Sequence, residues 1–154
     1  MTSVRARSCV ACPYRRDVPS GIWAAEEYEK LRKYDRPTWE QPPIGFLCHA
    51  TSDFYCHGWA AVHGDHALVF RLDPPDGEIR AGNTPLFTSG AEAADHGQAD
   101  VDRPGRAAVR MIEQLENQHE RLRSITRLGH ADRKDPDPAE NLHPSRLPEN
   151  PGRY

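Results

Sequence analysis

Residues 45–72 read GFLCHATSDFYCHGWAAVHGDHALVFRL, and the fold turns on whether this run is sheet or helix. Its apolar residues fall into short groups separated by turn-forming stretches, ATSD at 50–53 and HGD at 63–65. Gly64-Asp65 suits a tight hairpin. The spacing predicts three short strands, 45–50, 54–62 and 66–72. The run ends in DPPDGE at 73–78, where adjacent prolines have no N–H to give to a ladder. Cys48 and Cys56 then sit on neighbouring strands of an antiparallel hairpin, with their thiols facing each other.

The other two cysteines lie in SCVACPYRRDVPSG, residues 8–21. The full pattern is C-x2-C (Cys9, Cys12), a gap of 35 residues, then C-x7-C (Cys48, Cys56). The N-terminal MTSVRARSCVACPY has no apolar run like that of a secretory signal, and no stretch approaches the ~20 apolar residues of a membrane span. The expected setting is cytoplasmic, where thiols stay reduced. Two cysteine pairs in that setting read as a four-thiolate metal site. Ion binding there adds to the folding free energy. This matters in a chain that is 37% hydrophobic with 14 prolines, because a small core often needs such a staple. A thioredoxin-like reading of Cys9-Cys12 needs a strand before the pair and a helix directly after it. TSVRAR is short and polar, and Asp17–Pro19 separate the pair from the next helix. Zn2+ is the default ion for four sulfurs. The Cys12-Pro13 step also occurs in iron–sulfur proteins, so a [4Fe–4S] cluster stays open.

Three further residues fall beside this site. His49 follows Cys48 directly, so on a regular strand it faces the other way and becomes a ligand only at a bulge. Arg15 is placed to donate hydrogen bonds near the thiols. Trp59 is placed to shield the site from water. Among the other histidines, His57, His63 and His66 form a second, looser group. Net charge is −3, which excludes a globally basic nucleic-acid binder. Arg5, Arg7, Arg15 and Arg16 remain as a local basic group that nucleic acid could contact.

Outward from these stretches, SGIWAAEEYEKLRKY (20–34) reads as a helix. Ser20 is the candidate N-cap, acidic residues come first and basic ones last, and Ala24, Tyr28, Leu31 and Tyr34 share the buried face. RPTWEQPPIG (36–45) is a proline-punctuated loop in which Trp39 is expected to anchor on the core. Residues 104–126 read as an amphipathic helix with Pro104 in its first turn and a stripe of Val109, Ile112, Leu115, Leu122 and Ile125. The resulting organisation is a cysteine metal-binding core at 1–80, a flexible linker at 81–103, the helix at 104–126, and a proline-rich disordered tail at 127–154. The predicted fold class is α+β: a small metal-stapled domain with a short antiparallel sheet and one packed helix, plus the second helix and the tail.

CxxCPYR at 9–15, CH at 48–49 and CHGW at 56–59 together resemble an uncharacterised bacterial and phage family, the domain of unknown function numbered 6283. The resemblance covers residues 8–72, leaving the C-terminal helix and tail as additions. It implies a small cysteine-based metal site at Cys9, Cys12, Cys48 and Cys56 with His49 alongside, and it carries no activity. His57 stands where that family often has a small residue, which argues against a shared role for it. The functional expectation is a small cytosolic zinc-binding module for a protein partner, interaction or regulatory in role. An iron–sulfur redox or regulatory protein is the alternative. A metal-dependent hydrolase or nuclease using His49, His63, His66 and Asp65 is the third reading; it needs an open coordination position that a closed four-cysteine site lacks. No nucleophile–base motif or phosphate-binding glycine loop is found, so no catalytic residue is assigned.

Overall fold

The run that reads as three strands folds instead into a loop followed by two short helices. The computed structural model describes residues 3–80 and 82–128. Within them the α-helices are α1 (Ala25–Arg32), α2 (His57–His63), α3 (Leu68–Leu72), α4 (Gly90–Gln98) and α5 (Arg106–Gln118), with 3-10 turns at Lys33–Asp35, Thr38–Glu40 and Glu120–Ser124. No strand is present among the described residues; the expected antiparallel sheet reduces to a single bridge, Leu47 with Tyr55. The reason lies in burial. His57, Gly58, Trp59, Ala60 and His63 are all buried, so no alternation of polar and apolar residues marks the helix, and a short apolar run is ambiguous by pattern alone. Cys56 decides the matter locally: its sulfur accepts the Trp59 N–H at 3.5 Å and caps α2.

The metal-stapled α+β description is overturned on a second count. Among the described residues no group of three or more His, Cys, Asp or Glu side chains is arranged so that it could hold a metal ion. The core is also larger than the composition suggests. Tyr14, Ile22, Leu31, Trp59 and Ile112 are fully buried and Trp23 nearly so, and each such aromatic removes ~150–250 Å² from water. Trp39, expected as an anchor, is 73% exposed.

Residues 81–103, expected as a flexible linker, hold α4, which packs along α1. Its small residues are what allow the approach. A Cβ on Gly97 would lie 2.0 Å from the Tyr28 ring, and one on Gly90 would lie 2.1 Å from the Leu31 carbonyl oxygen. Ala93 and Ala94 are completely buried. Asp35 accepts the N–H groups of Gly90 and Ala91 at 2.7 and 2.8 Å. Ser89 caps α4 by accepting from Glu92 N–H, and Arg32 pairs with Asp95 at 2.8 Å. Ser20, read as the cap of α1, instead donates to the Gly97 carbonyl and accepts from Asp100 N–H, joining the two segments. The buried face of α1 is as predicted: Tyr28 and Leu31 point inward, with Tyr34 in the turn that follows.

Helix α5 packs on its own domain through Ala108, Ile112 and Leu115. It ends at Gln118 rather than 126, and the next turn buries Leu122. The chain then pairs with the segment before α1, Ala24 N–H donating to the Ile125 carbonyl at 2.8 Å and Arg127 N–H to that of Ile22 at 2.7 Å. Of the tail predicted for 127–154, residues 129–154 lie outside the described residues.

Candidate functional site

Two loops carry the four cysteines to one place. In the first, Cys12 N–H donates to the Cys9 carbonyl at 3.2 Å and Arg15 N–H to that of Cys12 at 3.1 Å, so CxxCPYR winds through consecutive turns. Arg15 locks this shape: its guanidinium grips Asp17 at 2.8 and 2.7 Å and donates to the Cys9 carbonyl at 3.2 Å. In the second loop, Cys48 N–H donates to the Phe54 carbonyl and Cys56 N–H to the Phe46 carbonyl, both at 2.8 Å. The loops can meet because residue 58 is glycine. A Cβ there would lie 2.7 Å from both the Cys12 sulfur and the Tyr14 Cβ.

All four cysteines are buried and free of disulfides. Cys12 pairs across the loops rather than within its motif, its sulfur 3.6 Å from that of Cys56, while Cys9 and Cys48 influence each other's protonation. Each pair splits its proton unevenly. Cys9 holds the Cys48 thiol down at about 4, while Cys48 and burial push Cys9 up. The bond from Cys56 holds Cys12 down, and Cys56 goes up. The Trp59 N–H donates to the Cys56 sulfur, and backbone N–H groups of Ala11, Tyr14, Gly58 and Thr51 help hold down the thiols of Cys9, Cys12 and Cys48. Arg5 adds a guanidinium donor to Cys48 at 3.5 Å. Donors aimed at sulfur favour its anionic form. Among the described residues the sulfurs do not form a group of three or more side chains arranged to hold a metal ion.

The residues expected beside the thiols divide. Trp59 is fully buried and its indole N–H has no partner, so its place next to Cys56 fits shielding. His49 turns away from the pairs. Its ring stacks on Trp23 with centroids 4.4 Å apart, and Nε2 donates to Glu27 at 2.8 Å. Burial works against the Glu27 charge, but the bonds from His49 and Lys30 outweigh it and hold that carboxyl low. His49 Nδ1 is buried without a partner. With Cys48 it lines a cavity of about 350 Å³.

His63 and His66 line a different cavity, of about 640 Å³, together with Asp35 and Arg36. His63 Nε2 bonds the Tyr14 hydroxyl at 2.9 Å and stands 3.9 Å from Asp35. Burial pushes His63 down to about 4, so it is neutral. His57 lies apart, bonded to the Arg5 carbonyl at 3.1 Å. The set His49, His63, His66 and Asp65 is thus not brought together. Sequence reading missed Tyr14, Asp35 and Glu27, whose partners are 49, 55 and 22 residues distant and leave no local pattern. Of the basic group, Arg16 is spent on the Leu86 carbonyl and the Phe87 ring.

A mainly helical domain that buries four free thiols, two of them paired across two loops, is the class of protein this geometry defines. No curated protein and no solved structure matches the chain. It belongs to the family of unknown function DUF6283, whose model matches residues 4–128. The matched span takes in α4 and α5, so the C-terminal helix is part of the family's domain and not an addition to it. Among the described residues no helix is long and apolar enough to cross a membrane.

Proposed function

We propose that this chain is a small zinc-binding protein in which Cys9, Cys12, Cys48 and Cys56 hold one Zn2+, and that it serves as an interaction or regulatory module. One observation carries the reading: four buried cysteines free of disulfides, with two sulfurs from different loops 3.6 Å apart. Zinc–sulfur bonds of about 2.3 Å in a tetrahedron imply sulfur–sulfur edges of about 3.8 Å. The Cys12–Cys56 spacing is near that edge. A cubane cluster bonds each thiolate to a different iron and spreads them farther, so the spacing favours a single ion. Binding then requires Cys9 and Cys48 to close with Cys12 and Cys56 on a common point, since no three metal-ligating side chains among the described residues already converge. Zinc would supply a closed, redox-inert cross-link between the two cysteine loops, and the chain's N–H donors would stabilise its charge-rich sulfurs.

The interaction role is supported by apolar side chains left exposed around the second loop. Ile44 is 66% exposed, and Leu47 and Phe54 flank Cys48 in the open. The test is elemental analysis of protein purified without oxygen. One zinc per chain in a colourless sample is the expected result. Iron with a brown colour would replace zinc by a cluster, and metal-free protein that melts unchanged with a chelator would end the reading.

A further inference from the structure

We propose that the cavity of about 640 Å³ between the end of α2 and the start of α4 binds a small organic oxyanion, a phosphate monoester or a carboxylate, whose charged group sits on the Arg36 guanidinium. Its size falls within the ~300–1,000 Å³ of ordinary small-molecule pockets. Three segments distant in sequence build it: the turn after α1, the end of α2, and the residues that lead into α4. Pro37, Val62 and the Tyr34 ring give it apolar wall for the body of a ligand. Its lining contains none of the four cysteines, so the proposal stands apart from the zinc reading.

The polar groups of the lining are arranged to donate. Asp35 is its carboxylate, and both oxygens already accept, from the N–H groups of Gly90 and Ala91 at 2.7 and 2.8 Å. Arg36 beside it is exposed, and its guanidinium makes no hydrogen bond or ion pair among the described residues. Ser89 Oγ accepts the Glu92 N–H, which leaves its own hydroxyl proton to donate. His63 is set as a donor from behind. Its Nε2 meets the Tyr14 hydroxyl at 2.9 Å, and Tyr14 is fully buried. That hydroxyl has no other partner among the described residues, and a buried O–H that donates to nothing is costly. Tyr14 therefore donates to Nε2, from which Asp35 stands 3.9 Å away, beyond hydrogen-bond reach. The ring proton is left on Nδ1, which has no hydrogen-bond partner among the described residues, in a side chain that lines the cavity. An uncharged or cationic ligand would leave these donors without acceptors, whereas the planar fork of Arg36 matches two oxygens of a carboxylate or phosphate.

The experiment titrates the full chain, as purified, with adenosine monophosphate, glycerol phosphate, succinate and citrate. Calorimetry gives the dissociation constants and amide shifts in NMR give the location. At least one of these anions should bind at submillimolar concentration, with shifts centred on residues 34–38, 62–66 and 88–89. Whether the phosphates or the carboxylates bind better assigns the charged group. Arg36→Ala should weaken binding about tenfold or more, the worth of a hydrogen-bonded charge pair. Lys33→Ala removes the same charge from an exposed position outside the lining and should leave binding unchanged. Inorganic phosphate and adenosine, the charged and uncharged halves of one probe, should both bind more weakly than the best organic anion. No binding by any of the four, or shifts centred elsewhere, would overturn the proposal. So would equal weakening by the two variants, adenosine binding as tightly as the anions, or inorganic phosphate doing so, which would mean an adventitious ion only.

Discussion

The α1–α4 face and the cysteine loops are held together in opposite ways. Between α1 and α4 the glue is close packing: two glycines and two alanines let Tyr28 and Leu31 sit almost on the α4 backbone. Capping by Asp35 and the Arg32–Asp95 pair trim the edges of that contact. In the cysteine loops four buried sulfurs share the core with Tyr14, Phe46 and Trp59, and single bridges stand in place of a ladder. The glycine, alanine, leucine and tyrosine contacts at the centre of the packed face change no charge near neutral pH. A cluster of buried thiols responds to protons, metals and oxidants, because each changes what a sulfur needs from its neighbours. The division puts rigidity on one side of the domain and chemical sensitivity on the other.

The largest effect is expected from Cys12→Ser, which removes one sulfur from the proposed zinc centre. Bound zinc should fall from one per chain to none. In hydrogen exchange, amides of residues 9–15 and 46–56 should lose protection while those of α1 and α4 keep theirs. Uniform loss over the whole domain would erase the contrast between the two regions.

Acid should come next, acting between them. His63 has its folded value pushed down to about 4, against an ordinary 6.5. The folded state therefore binds its proton less readily than the unfolded chain. The contribution is whole above pH 6.5 and is lost as the pH falls through 4, by at most about 3 kcal/mol. Urea titrations at steps of pH should show this loss, and His63→Gln should flatten it. An unchanged slope in the variant would remove His63 as the cause.

Gly97→Ala probes the packed face alone. The new methyl must displace the Tyr28 ring, whose hydroxyl accepts the N–H groups of Ile22 and Trp23 at 3.2 Å. Overpacking of this kind costs about 1–3 kcal/mol, offset by up to ~1 kcal/mol of helix propensity. A lower melting temperature with zinc content unchanged would sharpen the separation. Zinc lost along with the packing would show the two regions to be coupled.

Legibility followed the range of the interactions involved. Tyr28, Leu31, Ile112 and Leu115 were readable as inward-facing because a helix with one wet face repeats its apolar residues every three or four positions. Helix α2 was not, because it is buried nearly all round and its cap is a cysteine. Helix α4 was read as a mobile linker for a physical reason: GAEAADHGQ is small and polar, and small residues look like flexibility until a partner helix fills the space above them. The four cysteines stood out as a set by spacing. Their partners did not, since sulfur pairing depends on how two loops cross.

By itself the sequence determined the cysteine set, the buried faces of α1 and α5, and a family resemblance that the match over residues 4–128 bears out. Those are properties of neighbours along the chain. Tertiary structure alone decided that α2 is buried nearly all round, that Gly90 and Gly97 are contact points, that His49 serves Glu27, and that Cys12 meets Cys56. Each of these depends on groups far away in the chain, and only folding sets the distance between them.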